Sequence, residues 1–316
     1  NSLFLCDEDK ILINFDGRID NRNELDFFDP NISDAKNILN LHKKGLMSKI
    51  KLLAGPFAFC IIDLRTNKIL AYRDQMGVRP LYYFYNEEKF IYSTEIDYIF
   101  ATNGVNKDIN FKKLKYFILK GSRFNEETFY KHIFRLRSSS RIEISNKFLK
   151  IRKYFNFSNI PKIKLKSNEE YAHKFKEIFF KIIKSQINTE NNKIASMLSG
   201  GLDTSSITSA IALLKDNSVE HKTYSIVFND IRKQDIEMVY ETNYIKDVID
   251  KYSIDSNILE LEYYNIQDYL KNIQSNYPEP NYHGNKYMDT EMIDAMKSDG
   301  HKIILSGFDG DSVITH

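Results

Sequence analysis

The stretch that most limits how this chain can fold is Ser199-Gly200-Gly201-Leu202-Asp203-Thr204-Ser205-Ser206. Residues 194–198 before it are an apolar run that reads as a buried strand, and residues 207–214 after it read as a helix. A strand that turns through paired glycines into a hydroxyl-rich helix start is an arrangement for holding phosphate. The glycines let the backbone approach an anion, and the first helical N–H groups and the helix dipole face it. Ser199, Thr204, Ser205 and Ser206 add hydroxyl donors, and Asp203 can hold Mg2+ through oxygen. No lysine follows the glycines and their spacing is narrow, so a Walker loop and a dinucleotide fingerprint are both excluded.

Strands and helices alternate around this stretch. Residues 223–228, 258–261 and 302–306 read as strands, and residues 238–252, the text from 266, and 288–297 read as helices. Such alternation predicts a parallel sheet with helices on both faces, and ligands then sit at the carboxyl ends of the strands. Ser199, the region 226–228 and the text from Ser306 onward all fall there. A helix begins at Ser167, with Glu170 at capping-box spacing. Its stripe Tyr171, Phe175, Ile178, Phe179, Ile182 and Ile183 follows the helical period and is expected to be core.

The first half reads differently. Residues 11–15, 57–63, 69–73, 81–85 and 90–93 are short β-rich runs separated by turn residues, with a helix over 33–46. This predicts a mostly antiparallel sheet with a helix against it. Residues 156–166, rich in polar residues, Pro and Lys, read as a linker, giving domains at 1–160 and 161–316.

The Ser199–Ser206 stretch resembles the pyrophosphate loop of the N-type ATP pyrophosphatases, in particular the synthetase domain of the asparagine synthetase family. A second stretch, Ser306-Gly307-Phe308-Asp309-Gly310-Asp311-Ser312, resembles that family's Ser-Gly-Glu-Gly-Ser-Asp-Glu. In the first half, Phe15-Asp16-Gly17-Arg18-Ile19-Asp20-Asn21 is similar to the Tyr-Asn-Gly-Glu-Ile-Tyr-Asn of class II glutaminase domains. Ser33-Asp34 and the text from Gly55 through Tyr83 to Ser93-Thr94-Glu95 are similar to the same domain. The resemblance implies an α+β, Ntn-hydrolase-like N-terminal domain and an α/β parallel-sheet PP-loop C-terminal domain. It implies ATP and Mg2+ as cofactors and an ATP-dependent ligase that forms an amide from an adenylated carboxylate. By position, Asp203 and Asp311 hold the metal, and these two with Ser199 and Ser205 carry the chemistry. Met197 and Ile226 frame the adenine, and Ser199, Gly200, Gly201, Thr204, Ser205, Ser306 and Gly307 line the nucleotide. Asp16, Gly17 and Asp34 meet glutamine if that half is active. Arg73 and Asp74 are expected to pair, and Gly77 and Pro80 to shape a turn.

The departures bear on mechanism. Asp16 replaces an asparagine, and an ionised carboxylate cannot donate to an oxyanion. Arg18 reverses the charge of the family's glutamate. The class II mechanism needs an N-terminal cysteine, whereas the sequence opens on Asn1; Cys6 is internal, and Cys60 sits in an apolar strand as a buried, inert thiol. Phe308 and Ser312 replace acids. These changes tilt the reading toward an impaired glutaminase and leave the acceptor open between aspartate and a peptide side chain. A macrolactam or lasso-peptide cyclase type of homologue is the alternative reading, and an inactive truncated remnant a further one, since Asn1 and His316 both read as cut ends.

Bulk properties exclude several classes. With 45 basic against 43 acidic residues in 316, the net charge of +2 carries no nucleic-acid footprint. No apolar run approaches a membrane span, and no signal peptide opens the chain, so a cytoplasmic protein is expected. Two cysteines make no disulfide framework. His283 and His301 read as surface or turn residues, and a homodimer is left open.

Overall fold

The computed structural model describes residues 2–6, 10–121, 126–188, 192–228, 241–261, 278–280 and 286–310, with backbone alone at 2–6, 286 and 287. The chain divides into two compact units, Asn1–Lys162 with Tyr277–Tyr282, and Ile163–Asn276 with His283–His316.

The first unit contains β1 (Ser2–Cys6), β2 (Ile11–Gly17), α1 (Asp34–Lys43), β3 (Phe57–Asp63), β4 (Lys68–Arg73), β5 (Tyr82–Tyr85), β6 (Phe90–Ser93), α2 (Ile96–Phe100), α3 (Phe111–Lys120), β7 (Ile133–Arg135), β8 (Ser140–Ser145) and β9 (Phe148–Lys153). Its strands form a six-stranded sheet in the order β1-β2-β3-β4-β8-β9 and a three-stranded sheet β6-β5-β7, each antiparallel throughout. The sequence of β3 is almost continuously apolar because both of its faces are covered. Phe57, Phe59 and Ile61 pack toward Ile38 and Leu41 of α1. Ala58 and Cys60 face the smaller sheet through Leu81 and Tyr83. On that sheet's far side, Phe84 and Ile133 pack against Ile96 and Ile99 of α2. The layers therefore run helix, sheet, sheet, helix. Each fully buried Phe or Ile adds roughly 1.5–3 kcal/mol of transfer free energy.

The turn after β4 holds one side of this sandwich. Arg73 and Asp74 do not bond one another, contrary to the expected pair; each is aimed at the backbone instead. Arg73 donates to the carbonyls of Arg79 and Leu136, both at 2.6 Å, and to that of Gly77. The buried Asp74 carboxylate accepts N–H groups from Val78 and Arg79, both at 2.9 Å, and from Phe57 at 3.3 Å. Two neighbouring opposite charges satisfy carbonyls and amides separately, because a tight turn leaves both kinds of backbone group without ladder partners.

The second unit contains α4 (Asn168–Ile187), β10 (Lys193–Met197), α5 (Leu202–Leu214), β11 (Glu220–Phe228), α6 (Thr242–Tyr252), β12 (Asp255–Leu261), α7 (Lys286–Ser298) and β13 (Ile303–Leu305). The strands are all parallel in the order β12-β11-β10-β13. Ile194 and Leu305 pack under α4 and α5 through Ile183, Ile187, Ala210 and Ile211. Ala195 and Tyr224 on the opposite face pack against Met296 of α7. The expected helical text from 266 lies outside the described residues, as does the start of the expected 238–252 helix. At the head of α4, Ser167 Oγ accepts the Glu170 N–H at 3.3 Å, while Glu170 reaches the Lys166 N–H at 2.9 Å.

The apolar stripe of α4 departs from expectation. Ile183 is buried, but Tyr171, Phe175, Ile178 and Ile182 are 40–50% exposed. A 20-residue helix is about 30 Å long, whereas the five-residue strand β10 spans only about 17 Å, so the sheet covers one end of the stripe. Among the described residues, no helix is long and apolar enough to cross a membrane.

Asp74→Ala would leave the N–H groups of Phe57, Val78 and Arg79 without their acceptor. We expect a loss of about 3 kcal/mol or more in urea unfolding, with the first unit's transition moving first. An unchanged midpoint would contradict the assignment.

Candidate functional site

The order of the parallel strands fixes where a ligand crevice can open. The chain leaves β10 for β11 and β12 on one side, then returns to β13 on the other. The direction of winding therefore reverses between β10 and β13, and a crevice opens outside the carboxyl ends of such a pair. Ser196 is paired with Leu305, the last residue of β13, and β10 ends one residue later at Met197. Residues 198–201 leave one strand and residues 306–310 leave the other.

The two loops meet at Asp203. A Cβ built on Gly307 would lie 2.9 Å from Asp203 Cβ and 3.1 Å from Thr204 N. One built on Gly310 would lie 2.3 Å from Asp203 Oδ2. A side chain at Gly307 would press on Asp203 Cβ and the Thr204 backbone, and one at Gly310 would displace the Asp203 carboxylate, so the second loop's bare backbone lies against the acid and the helix start. Asp309 takes a left-handed conformation with φ 61°, and the Gly310 N–H donates to Gly307 O at 3.1 Å, which closes the turn.

The first loop is organised by hydroxyls. Thr204 Oγ1 accepts the Ser199 N–H at 3.1 Å, contacts Ser199 Oγ at 3.0 Å and reaches Gly201 O at 3.3 Å. Ser199 Oγ accepts the Gly201 N–H at 3.3 Å. Gly200 has φ +92°, and a Cβ there would sit 2.8 Å from Glu241 O, so the turn admits no larger residue. Helix α5 starts at Leu202, earlier than the apolar pattern suggested, which puts Asp203, Thr204, Ser205 and Ser206 in its opening turns. The N–H groups of Leu202, Asp203 and Thr204 are then the unsatisfied donors of a helix start. Ser205 Oγ is buried with no partner among the described residues, a polar group that fits an anion-holding loop with donors to offer.

Of the other residues read from sequence, Met197 ends β10 and packs beside Ala195, Tyr224 and Met296. Met197 is paired with Tyr224, and Ile226 follows two residues on, so both candidate adenine contacts share one sheet face. Ser306 and Gly307 follow β13 directly. Asp311 lies outside the described residues. Among the described residues, no three His, Cys, Asp or Glu side chains gather to hold a metal.

His301 is a correction: it is 5% exposed, with its ring edge-on to Tyr224 at 5.7 Å. The turn into β13 carries it inward. His283 lies outside the described residues. Sequence reading also missed His221, equally buried, whose Nε2 lies 2.8 Å from Ser196 Oγ. The available signal was polar Ser196 inside an apolar strand. Burial first, with Lys215 and His301 adding, pushes the His221 imidazole down to about 4.

In the first unit, Asp16 and Gly17 end β2, and Asp34 opens α1. Gly17 has φ +127°, and a Cβ there would sit 2.0 Å from Pro56 O. Asp16 Oδ1 lies 4.0 Å from Arg79 Nε. Asp34 Oδ2 accepts the Ile19 N–H at 2.8 Å and its Oδ1 lies 3.6 Å from Arg22 Nη1. The three sequence candidates therefore border one turn, with Asp34 bonded within it. Arg18 pairs with Asp20 at 2.6 Å, and burial raises Asp20 to about 6 against the pull of Arg18. A cavity of about 300 Å3 opens on the inter-sheet side, lined by Asn14, Tyr92, Ser93, Thr94, Glu95 and Tyr98 among others. Cys60 is fully buried beside Tyr92, and burial pushes its thiol up to about 12, an inert thiol as expected. Glu279, counted with this unit, accepts the Phe129 N–H at 2.9 Å and pairs with Arg135 at 2.7 Å.

Comparison with known proteins finds two matches along the chain. Residues 7–155 match the family model described as glutamine amidotransferase domain, and residues 174–315 match asparagine synthase. With these two domains in this order, the chain belongs to the asparagine synthetase family. It is 28% identical over 89% of its length to a protein of Methanocaldococcus jannaschii with a provisional name, asparagine synthetase (glutamine-hydrolyzing) 2. It is 26% identical over 63% of its length to asparagine synthetase (glutamine-hydrolyzing) 3 of Bacillus subtilis. The chain spans only 53% and 32% of these relatives' lengths. A solved glutamine phosphoribosylpyrophosphate amidotransferase of B. subtilis aligns over 89% of this chain and 76% of its own, with TM-score 0.32 and 11% identity.

The buried histidine gives a pH prediction. An unfolded His titrates near 6.5, so between that pH and about 4 the unfolded chain binds a proton that native His221 does not. Stability must therefore rise with pH across this window and be lost as pH falls through it, by on the order of 3 kcal/mol at most. Urea midpoints at pH 7 and pH 4.5 check this. His221→Gln should flatten the second unit's pH slope; an unchanged slope would refute the assignment.

Proposed function

We propose that the chain is an ATP-dependent ligase that forms a C–N bond, of the glutamine-hydrolysing asparagine synthetase type. A small-molecule carboxylate, aspartate in the leading case, attacks the α-phosphorus of ATP. Pyrophosphate leaves, and an amine then attacks the acyl carbon and displaces AMP. The residues fit this chemistry at stated places. The opening N–H groups of α5, with Ser199, Thr204 and Ser205, grip the leaving phosphates while Gly200 and Gly201 keep the backbone low. Ser306 and Gly307 line the nucleotide, and Met197 and Ile226 flank its base. Mg2+, when bound, neutralises charge on the phosphates; Asp203 would hold it together with Asp311.

The observation that carries this reading is the packing of two bare glycine backbones, Gly307 and Gly310, onto Asp203 and Thr204 where the strand order reverses. We further read residues 1–160 as an Ntn-hydrolase-like glutaminase domain and 161–316 as the PP-loop domain. The helix-sheet-sheet-helix layering and the glutamine amidotransferase match support the first assignment. Asp16, Gly17 and Asp34 then border the glutamine site. With Asp16 in place of an oxyanion donor, its hydrolysis would be weak.

The test is exchange of labelled pyrophosphate into ATP by the intact chain. Exchange should depend on an added carboxylate, aspartate first, and Asp203→Asn should lower it about 100-fold or more. No exchange with any carboxylate, or full exchange by the variant, would overturn the reading.

A further inference from the structure

Two rungs join β10 to α5 around the loop. The outer rung is Ser199 with Thr204, at the mouth. The inner rung is Ser196 with Thr208, three residues earlier on the strand and four later on the helix. Ser196 Oγ lies 3.1 Å from Thr208 Oγ1 and 2.8 Å from His221 Nε2, so it joins two partners. Ser196 and Thr208 have no exposed surface, and His221 has 5%. The inner rung thus ties three elements together: the strand before the loop, the helix after it, and the adjacent strand β11.

Ile194 precedes Ser196 on the same sheet face, and β11 adds the fully buried Thr223, paired with Ser196, and Ser225 to that face. Those two hydroxyls donate to the carbonyls of Asp255 and Leu198, so of the hydroxyls on this face of β10 and β11 it is Ser196 that reaches α5. Aliphatic side chains would hold α5 on the sheet equally well and leave no polar atom to satisfy. What they would not supply is direction, because apolar contacts tolerate sliding and hydrogen bonds fix a distance and an angle. Thr204 and Thr208 stand one helical turn apart on one face of α5. Any slide of the helix that lengthens the inner rung therefore also moves Thr204 away from the Ser199 N–H.

We propose that the buried Ser196–Thr208–His221 chain is the positioning device of the phosphate loop, setting the stand-off between the end of β10 and the first turn of α5. These residues touch no ligand; they act through Thr204 and the loop amides. His221 is held neutral, so its Nε2 serves as a fixed hydrogen-bonding point for Ser196. The ligand arm of the test rests on the proposed ATP reading; the backbone arm does not.

The experiment uses the full chain as wild type, Thr208→Val, Thr208→Ser and His221→Gln. The first readout is amide hydrogen exchange without ligand at Ser199, Gly201 and Ser205, with residues 258–261 of β12 as the control. The second is calorimetric binding of MgATP. Thr208→Val should speed loop exchange about tenfold and leave the β12 amides within twofold. It should weaken MgATP binding by a similar factor, and Thr208→Ser should restore both. His221→Gln should give an intermediate effect at the same amides. If Thr208→Val speeds loop and β12 amides alike, or leaves both unchanged, the chain is merely a core contact and the proposal fails. If Thr208→Val does not fold, failure of His221→Gln to change loop exchange overturns it. Should wild type bind no MgATP, the phosphate reading falls, and the exchange contrast alone decides the positioning role.

Discussion

The second unit depends on the approach of two peptide backbones to one carboxylate. Gly307 and Gly310 come so near Asp203 and Thr204 that a Cβ at the first would press on Asp203 Cβ and the helix-start backbone, and one at the second would push the carboxylate aside. That approach is possible because β10 and β13 are hydrogen-bonded neighbours ending within one residue of each other, and because the winding reverses between them. A carboxylate, a helix start with spare N–H groups and a second bare backbone then converge from segments about a hundred residues apart. Everything assigned to nucleotide follows from that convergence.

Much of this was legible before any coordinates. The strand, glycine pair and hydroxyl run of 194–206 announced both the topology and the loop, because close approach and positive φ at Gly200 leave glycine no substitute. The β3 run at 57–63 was equally clear, since burial on two faces writes a continuous apolar string. What failed to show was whatever depends on partners remote in sequence. The α4 stripe has the period of a core helix, yet the sheet beneath covers only one end. Arg73 and Asp74 are adjacent opposite charges, and nothing local says that a tight turn's carbonyls and amides will take both. His301 and His221 look like isolated polar residues until β13 and β11 fold them inward.

The first unit tells a related story about charge. Asp16 and Arg18 depart from the family pattern, and both lie beside opposite charges within the unit, Arg79 and Asp20. Asp34 accepts a backbone N–H from the same turn. The turn is thereby held by charges from the turn itself, from α1 and from the segment after β4, while the neighbouring cavity keeps Asn14, Ser93, Thr94 and Glu95 at its wall. Buried thiol chemistry has no part here: Cys60 is enclosed on an apolar face and its thiol stays protonated.

The most direct test of the central claim is a crystal structure of the chain with ATP and Mg2+. The β- and γ-phosphates should lie within hydrogen-bond distance of the backbone N–H groups at the start of α5, with the metal against Asp203. Nucleotide density elsewhere, with the β10 and β13 loops empty at saturating ATP, would contradict it.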